Sequence, residues 1–508
     1  MSVNEEPEIL MGKKVIIIGG GVAGLSAGIY GQMNGYDTEI LEMHTGPGGQ
    51  CTAWKRMGYT FDHCIHWLVG TSHGPFHQIW VETGALDDTT RVIDPETYVT
   101  IMTTKGEALV IYSDVDRWER YLLEIAPEDE SAIRRMCRDM RRAATLEISG
   151  KPPFRRNLFD TIRFLFKSGP ALKIFVRYSR MTVGDYFHQL GFRSDVLKER
   201  LVGFTSIMED FSAIAFIMTL SWFSNKNAGY PVGGSMPFTL RMFDRYQSLG
   251  GTFTGGAKVE RIITGGGKAT GVRLKDGTEK YADHIIGTCD LHALIYDLLE
   301  GKHLTPEIDK AFTEWPLFKS MVQVSFGIDR PIESGDHTYH VMAEGSSIGS
   351  TVLTAGYSIA NYNHDPMITP EGKCVMKLCY DSPFEIWERM DQAEYRAEKE
   401  KIREDATELL ERFYPDVKGH LDVVDVATPL TDVKYTGVWK GAYEGFMPAI
   451  SSIGKAMKMT INGLENFYLA GQWTYPGGGL PPSAQSGKWV VEAICRKDRK
   501  KFRVDSIK

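Results

Sequence analysis

Val15-Ile16-Ile17-Ile18-Gly19-Gly20-Gly21-Val22-Ala23-Gly24 decides the fold: four β-branched residues run straight into a glycine turn that opens a helical segment. The helix covers about Ala23 to Asn34, Gly35 ends it, and a second apolar strand runs from Asp37 to Leu41 and stops at Glu42. Gly19 permits the tight exit from the first strand, Gly21 leaves the backbone open to a pyrophosphate, and Gly24 lets the helix pack close to the sheet. Val22 and Ala23 stand in the first turn, where the helix aims its unpaired N–H groups and positive dipole end at phosphates. Glu42, about twenty residues past the turn, stands where a carboxylate accepts the hydroxyls of an adenosine ribose. A glycine triplet alone says little, since Gly265-Gly266-Gly267 in the same chain reads as a hairpin turn. The complete unit with its acid predicts a dinucleotide-binding α/β domain built on a parallel sheet.

The chain beyond Glu42 does not continue as a nicotinamide domain, with a further helix and strand. Met43 leads into His44-Thr45-Gly46-Pro47-Gly48-Gly49-Gln50 and then Gly58-Tyr59-Thr60-Phe61-Asp62. Further on, Tyr230-Pro231-Val232-Gly233-Gly234-Ser235-Met236 opens a helix that ends near Leu249-Gly250-Gly251. Lys258 to Ile262 and Gly271 to Leu274 follow, with Asp276-Gly277 as a hairpin turn. Near the C-terminus, Asn466-Phe467-Tyr468-Leu469-Ala470-Gly471-Gln472 and Pro476-Gly477-Gly478-Gly479-Leu480-Pro481-Pro482 pair a strand with a glycine-rich turn and a helix starting near Pro482. A second strand, glycine turn and helix for a nicotinamide is missing, so stable NAD(P)H binding is not expected and the electron donor or acceptor stays open.

Together these blocks resemble the flavin amine oxidase and phytoene desaturase superfamily, most closely its phytoene desaturase, carotenoid isomerase and retinol saturase branch. The resemblance implies a Rossmann-type FAD-binding domain, with a parallel sheet and β-meander as in glutathione reductase and amine oxidases, plus an α+β substrate domain. It implies FAD as cofactor and a lipophilic alkene or polyene as substrate. Gly48 and Gly49 would carry the chain past the FAD diphosphate, with Met43 and Gln50 beside it, and Val259 would offer its backbone to the adenine. Gly471 and Gln472 would meet the diphosphate and ribityl chain, while Gly479, Leu480 and Pro481 bring a helix N-terminus to the flavin O2, where its dipole stabilises charge on the reduced ring. Thr428-Pro429 and Gly441-Ala442-Tyr443 match the segment before this last motif. Two positions depart from the pattern: Gln50 stands where a cation is common and Gln472 where an acid is usual, and in both an amide can still hydrogen-bond.

The chemistry implied is hydride transfer between a substrate carbon and flavin N5, as desaturation, saturation or isomerisation of a carbon–carbon bond. His63 and His66 are the candidates for proton transfer near the ring, with a structural role for both as the alternative. Tyr230, Trp473 and Tyr475 are candidate pocket walls. His63, Cys64, His66, His73 and His77 cluster in sequence but lack a paired-ligand spacing, so no metal is expected. Two rivals share the fold: an FAD amine or protoporphyrinogen-type oxidase using oxygen, and a non-catalytic lipid carrier like the GDP dissociation inhibitors. The Pro476 to Gly479 ending and the missing Cys attachment motif argue against the first. Intact Gly19, Gly21, Gly24, Glu42 and Gly471 argue against the second.

At 508 residues, 43% hydrophobic and 24% charged, the chain can bury a sizeable core and hold two domains. Because the motifs for one cofactor lie at both ends, residues 11–95, 225–300 and 455–497 are expected to assemble the FAD domain, and 96–224 and 301–454 the substrate domain. Helices are expected over 115–224 and as one long charged helix from Pro383 to Tyr414, with strands at Ser320 to Gly327 and Cys374 to Tyr380. Net charge is −7, which gives no reason to expect nucleic acid. Seven cysteines without a CxxC motif point to a reducing, cytoplasmic compartment. The first ten residues are polar and acidic, so no signal peptide is expected, and the apolar run Phe211 to Phe223, preceded by Glu209-Asp210, is too short to span a bilayer. Residues 151–180 hold eight Lys or Arg against Asp160 alone, a net +7 that leaves −14 for the rest. Leu158, Ile162, Leu165 and Phe166 recur there at helical spacing, with Phe154, Phe159, Phe164 and Phe175 adding aromatic bulk. Two readings stay open: peripheral contact with the inner membrane surface, or a surface helix packed on its own domain.

Overall fold

The fold is that of a computed structural model, which describes residues 12–103, 105–146, 149–202, 210–332 and 338–505. The readings of the first ten residues and of Glu209 lie outside them.

The β-branched run forms a strand, Lys14–Ile18, with Ile16 and Ile17 fully buried. Such a strand is buried on both faces, as the strands of a parallel sheet covered by helices are. Its sheet runs Thr252–Thr254, Asp37–Leu41, Lys14–Ile18, His284–Gly287, Leu464–Leu469, Lys268–Leu274, Val259–Gly265; the first five are parallel. Strands from three distant parts of the sequence thus end at one edge. The first helix, Val22–Met33, is almost wholly buried between the sheet, the Ser235–Ser248 helix and the last helix, Leu480–Lys497. Small residues allow this. A Cβ on Gly24 would stand 2.0 Å from the Gly19 carbonyl oxygen, and one on Gly487 would stand 2.5 Å from the Ala23 carbonyl oxygen.

A second, mostly antiparallel sheet runs Leu421–Ala427, Met321–Ile328, Cys374–Asp381, Gly356–Asn361, Thr338–Met342, Thr97–Met102, Ala108–Tyr112. Period-two alternation divides its side chains. Val322, Val324, Phe326, Met376 and Leu378 pack beneath Ile402, Ala406 and Leu410 of the Gln392–Phe413 helix. Gln323, Ser325 and Lys377, on the other face, look toward the first domain. The single helix expected from Pro383 to Tyr414 is two, Phe384–Trp387 and Gln392–Phe413. Asp391 makes the break, because its carboxylate accepts from the N–H groups of Ala393 and Glu394 and caps a new helix. The last helix begins at Leu480, with Pro481 and Pro482 in its first turn, where their missing N–H groups cost nothing.

Between the hairpin Thr97–Tyr112 and residue 224 lies a helical layer with its own core, including Trp118, Met136, Tyr186 and Ile217. The apolar run forms the Ala213–Ser224 helix, which is mostly buried in this core, with Ala215, Thr219, Trp222 and Ser224 half-buried. No helix among the described residues is long and apolar enough to cross a membrane. Two pieces of 301–454 pack in the core beside the first sheet: Ile308 and Ala311 of the Pro306–Glu314 helix, and Val438, Ala442 and Phe446.

Candidate active site

The first glycine turn and the second glycine pair meet directly. Gly48 N–H donates to the Gly20 carbonyl at 2.9 Å, and Gly21 and Gly48 form a parallel bridge. Gly48 (φ 127°) and Gly49 (φ 58°) take backbone angles that favour glycine. Thr288 Oγ1 donates to the Ile18 and Gly19 carbonyls at 2.9 Å each, and Gly471 lies against the Thr288 carbonyl. The ends of three parallel strands therefore converge on the Val22–Met33 helix N-terminus. That is where open α/β sheets bind their ligands.

Glu42 is buried at this edge, with Oε2 accepting from Gly20 N–H at 2.6 Å and Oε1 from His44 N–H at 2.8 Å. Its own backbone pairs with Thr254 and Ala257, which brings the segment leading to Val259 alongside. Met43 flanks it, close to Gly437. Gln50 and Gln472 are joined by a hydrogen bond at 2.8 Å, while Gln50 Nε2 is buried without a partner among the described residues. A donor kept from water and aimed at no protein group fits an anionic ligand such as a diphosphate. Gly479, Leu480 and Pro481 form the entry to the last helix, which Ser486 Oγ ties to Gly471 N–H at 2.9 Å.

The candidate catalytic histidines follow the Tyr59–Asp62 strand. Asp62 fixes their loop, accepting from Ser235 N–H (2.6 Å), Ser235 Oγ (2.7 Å), Cys64 N–H (3.0 Å) and Ile65 N–H (3.1 Å). His63 Nε2 lies 3.0 Å from Asp432 Oδ1, its ring rests against Trp54, and its Nδ1 is buried without a partner among the described residues. Burial disfavours the imidazolium, but the Asp432 carboxylate outweighs it and raises the His63 pKa. His66 is exposed, its Nδ1 3.2 Å from Lys377 Nζ. Lys377 Nζ also donates to the Asp62 carbonyl at 3.3 Å and stands over the Tyr362 ring. Burial works against the Lys377 ammonium, yet Tyr362, Cys379 and Asp62 around it raise its pKa and keep it charged. The farther histidines act locally: His77 Nδ1 meets the Gly70 carbonyl and His73 Nδ1 meets Ser72 Oγ. Among the described residues no three His, Cys, Asp or Glu side chains converge as a metal site.

The three aromatic positions separate. Tyr475 is half-buried beside Trp489. Tyr230 is interior, donating to Asp365 at 2.7 Å, and burial pushes its phenol far up. Trp473 is a correction to the pocket expectation: Phe312, Trp439 and Phe446 enclose it at 3% exposure, so it belongs to the core beneath the Gly471 turn. Asp432, Lys377 and Glu444 were not read from sequence. Lys377 had a signal, being the lone charge inside Cys374-Val375-Met376-Lys377-Leu378-Cys379-Tyr380, and Glu444 had a similar one between Tyr443 and Gly445.

Comparison with known proteins agrees with this geometry. The chain is 24% identical over 503 residues to a chloroplastic prolycopene isomerase 1 from an Oncidium hybrid cultivar, covering 94% of this chain and 83% of that one. It is 25% identical over 508 residues to a lycopene-forming phytoene desaturase from a Paracoccus species, covering 95% and 97%. A solved oxidoreductase from Methanosarcina mazei has the same fold, with TM-score 0.60, 16% identity and coverage of 94% and 100%. Since residues 22–495 also match the sequence model for flavin containing amine oxidoreductases, the chain belongs to that family, and it is an FAD-dependent oxidoreductase.

Proposed function

We propose that the protein desaturates, saturates or isomerises carbon–carbon bonds of a lipophilic polyene of carotenoid or retinoid type. FAD, when bound, exchanges a hydride with a substrate carbon at its N5. The backbone of Gly19, Gly21, Val22, Ala23 and Gly24, with Gly48 and Gly49, would cradle the diphosphate, Gln50 Nε2 would donate to it, and Glu42 would turn from its backbone donors to the ribose. Gly471, Gln472 and the Leu480–Lys497 helix N-terminus would border the ribityl chain and ring. Tyr475 would stand at the pocket mouth.

The observation that carries the lipophilic substrate is the Leu158–Lys167 helix, which has no buried residue. Leu158 (75% exposed), Phe159 (71%) and Phe166 (87%) project from it, within the 151–180 segment that carries eight Lys or Arg. Apolar side chains set in cationic surroundings suit an anionic bilayer surface. This segment joins the flavin helix: Arg155 pairs with Glu492, Trp489 Nε1 donates to the Gly150 carbonyl at 3.0 Å, and Arg156 is close enough to Tyr475 to oppose the rise of its phenol pKa. A substrate dissolved in the bilayer would then reach Tyr475 without crossing water.

The test is anaerobic. Oxidised holoprotein is mixed with a candidate polyene in liposomes, and dithionite-reduced holoprotein likewise. Bleaching of the flavin bands signals desaturation, reoxidation signals saturation, and a geometric isomer formed by reduced enzyme without net flavin oxidation signals isomerisation. No change with any polyene, together with peroxide formation on amines in air, would replace this reading by the amine oxidase one.

A further inference from the structure

The face of the second sheet that looks toward the flavin domain carries Lys377, Cys379 and Asp381 at alternate positions of one strand. Near it, in the turn between Ala442 and Phe446, lies Glu444. Its carboxylate Oε1 is 3.3 Å from where a Cβ on Gly479 would stand, and its carbonyl oxygen 1.8 Å from where one on Gly478 would stand. Glu444 is therefore laid on the glycine turn that opens the last helix. On its other sides it faces the Cys64 thiol, from the loop after Asp62, and the Tyr443 phenol; Asp381 and Cys379 of the sheet also reach Tyr443.

No described group forms an ion pair or a hydrogen bond with the Glu444 carboxyl, unlike Asp62 with its four donors. By area it is half-buried, while the protein around it is dense enough to desolvate it. Burial raises its pKa to about 7, so acid and base forms coexist near neutrality. Cys64, through its hydrogen bond to Cys51 and burial, and Tyr443, through burial, are both raised and stay neutral in that range. The histidines are less suited to the task, because His63 is committed to Asp432 and His66 shares its Nδ1 with Lys377.

We propose that Glu444 carries the proton of the carbon–carbon bond chemistry, taking it from the carbon next to the one that gives up its hydride. This rests on the proposed polyene reaction. In desaturation two C–H bonds break and a π bond forms; one hydrogen leaves with its electron pair to the flavin, and the other leaves as a proton to the Glu444 carboxylate. Substrate loses two electrons, flavin gains them, and Glu444 becomes the neutral acid. Saturation reverses each movement.

Infrared difference spectra of FAD-loaded protein between about pH 5 and 9 test the acid without substrate. A protonated-carboxyl band titrating near 7, distinct from components near 6 that belong to Asp290 and Asp381, is expected in wild type, absent in Glu444→Gln and retained in Asp381→Asn, which loses one of the components near 6. Single-turnover flavin reduction by a polyene should slow about 10²–10⁴-fold in Glu444→Gln at unchanged FAD content, with loss of the neutral limb of the pH profile. Persistence of the band in Glu444→Gln, or an unaltered rate and profile, overturns the proposal. Should that variant not fold, Glu444→Asp serves in its place, with the band displaced and the rate lowered; an unmoved band and rate overturn the proposal. Wild type inactive on every polyene defeats the substrate reading, and the infrared band then decides alone whether Glu444 holds the proton.

Discussion

Gln50 Oε1 accepts a hydrogen bond from Gln472 Nε2 at 2.8 Å, tying the second glycine turn to the last glycine motif across 422 residues. The pairing uses the Gln50 acceptor and leaves its Nε2 donor buried, with no partner among the described residues, so that it can meet a ligand oxygen. A hydrogen bond to a charged group is worth about 1.5–3 kcal/mol. Gln50→Ala should therefore weaken FAD binding roughly ten- to hundred-fold, measured by flavin fluorescence on titrating apoprotein. Gln50→Lys should bind FAD more tightly than wild type at low salt and lose that gain as salt rises. Equal affinity in all three proteins would remove Gln50 from the diphosphate site.

The first and last helices approach through Gly487, where a Cβ would stand 2.5 Å from the Ala23 carbonyl oxygen and 3.0 Å from the Ala27 nitrogen. Gly487→Ala must push the helices apart, at about 1–3 kcal/mol for overpacking, against which helix propensity returns at most about 1 kcal/mol. The apoprotein should unfold at lower urea concentration with unchanged m-value. FAD affinity should fall as well, since in the proposed site both helix N-termini would face the cofactor. An unchanged midpoint would show that the two helices separate without penalty.

His63 and Asp432 give stability a pH dependence of definite sign. The folded-state pKa of His63 is raised, with Asp432 overcoming burial. Its contribution is fully present below the unfolded value of about 6.5 and is lost as pH rises through the folded value. Urea midpoints of wild type should fall across that window, and His63→Asn should flatten the fall. In Asp432→Asn burial is unopposed by that carboxylate, so the loss relative to wild type should be greatest at the acid end. Parallel pH curves for wild type and His63→Asn would refute the linkage.

What could be read from sequence was what the chain encodes locally. Strand, turn, helix and acid between Lys14 and Glu42 are neighbours in sequence and each follows from residue type, as does the last motif around Gly471 to Pro482. The network around Asp62 could not be read that way, because Ser235 is 173 residues distant and Lys377 donates to the Asp62 carbonyl from 315 residues away. Trp473 misled for the same reason: an aromatic next to a cofactor motif suggests a pocket wall, but Phe312 and Phe446, far off in the chain, enclose it. The break at Asp391 was visible as an Asp followed three residues on by Glu394, a capping box masked by the charged composition around it.

The apolar helix yields the sharpest prediction, because its side chains touch so little else. Phe159 and Phe166 are 71% and 87% exposed, so replacing both by Glu removes little internal packing. Each Phe entering a headgroup layer is worth about 1.5–3 kcal/mol, and nearby basic residues add about 1 kcal/mol each on an anionic surface. The Phe159→Glu/Phe166→Glu protein should keep its FAD content and thermal midpoint yet fail to sediment with phosphatidylserine vesicles that pull down wild type at low salt. Salt should weaken wild-type binding without abolishing it, since the aromatic part is not screened. Turnover of a polyene supplied in vesicles should fall in the variant, while turnover of the same polyene in detergent should not. Equal sedimentation of variant and wild type would leave the helix as bare surface and remove the bilayer route to Tyr475.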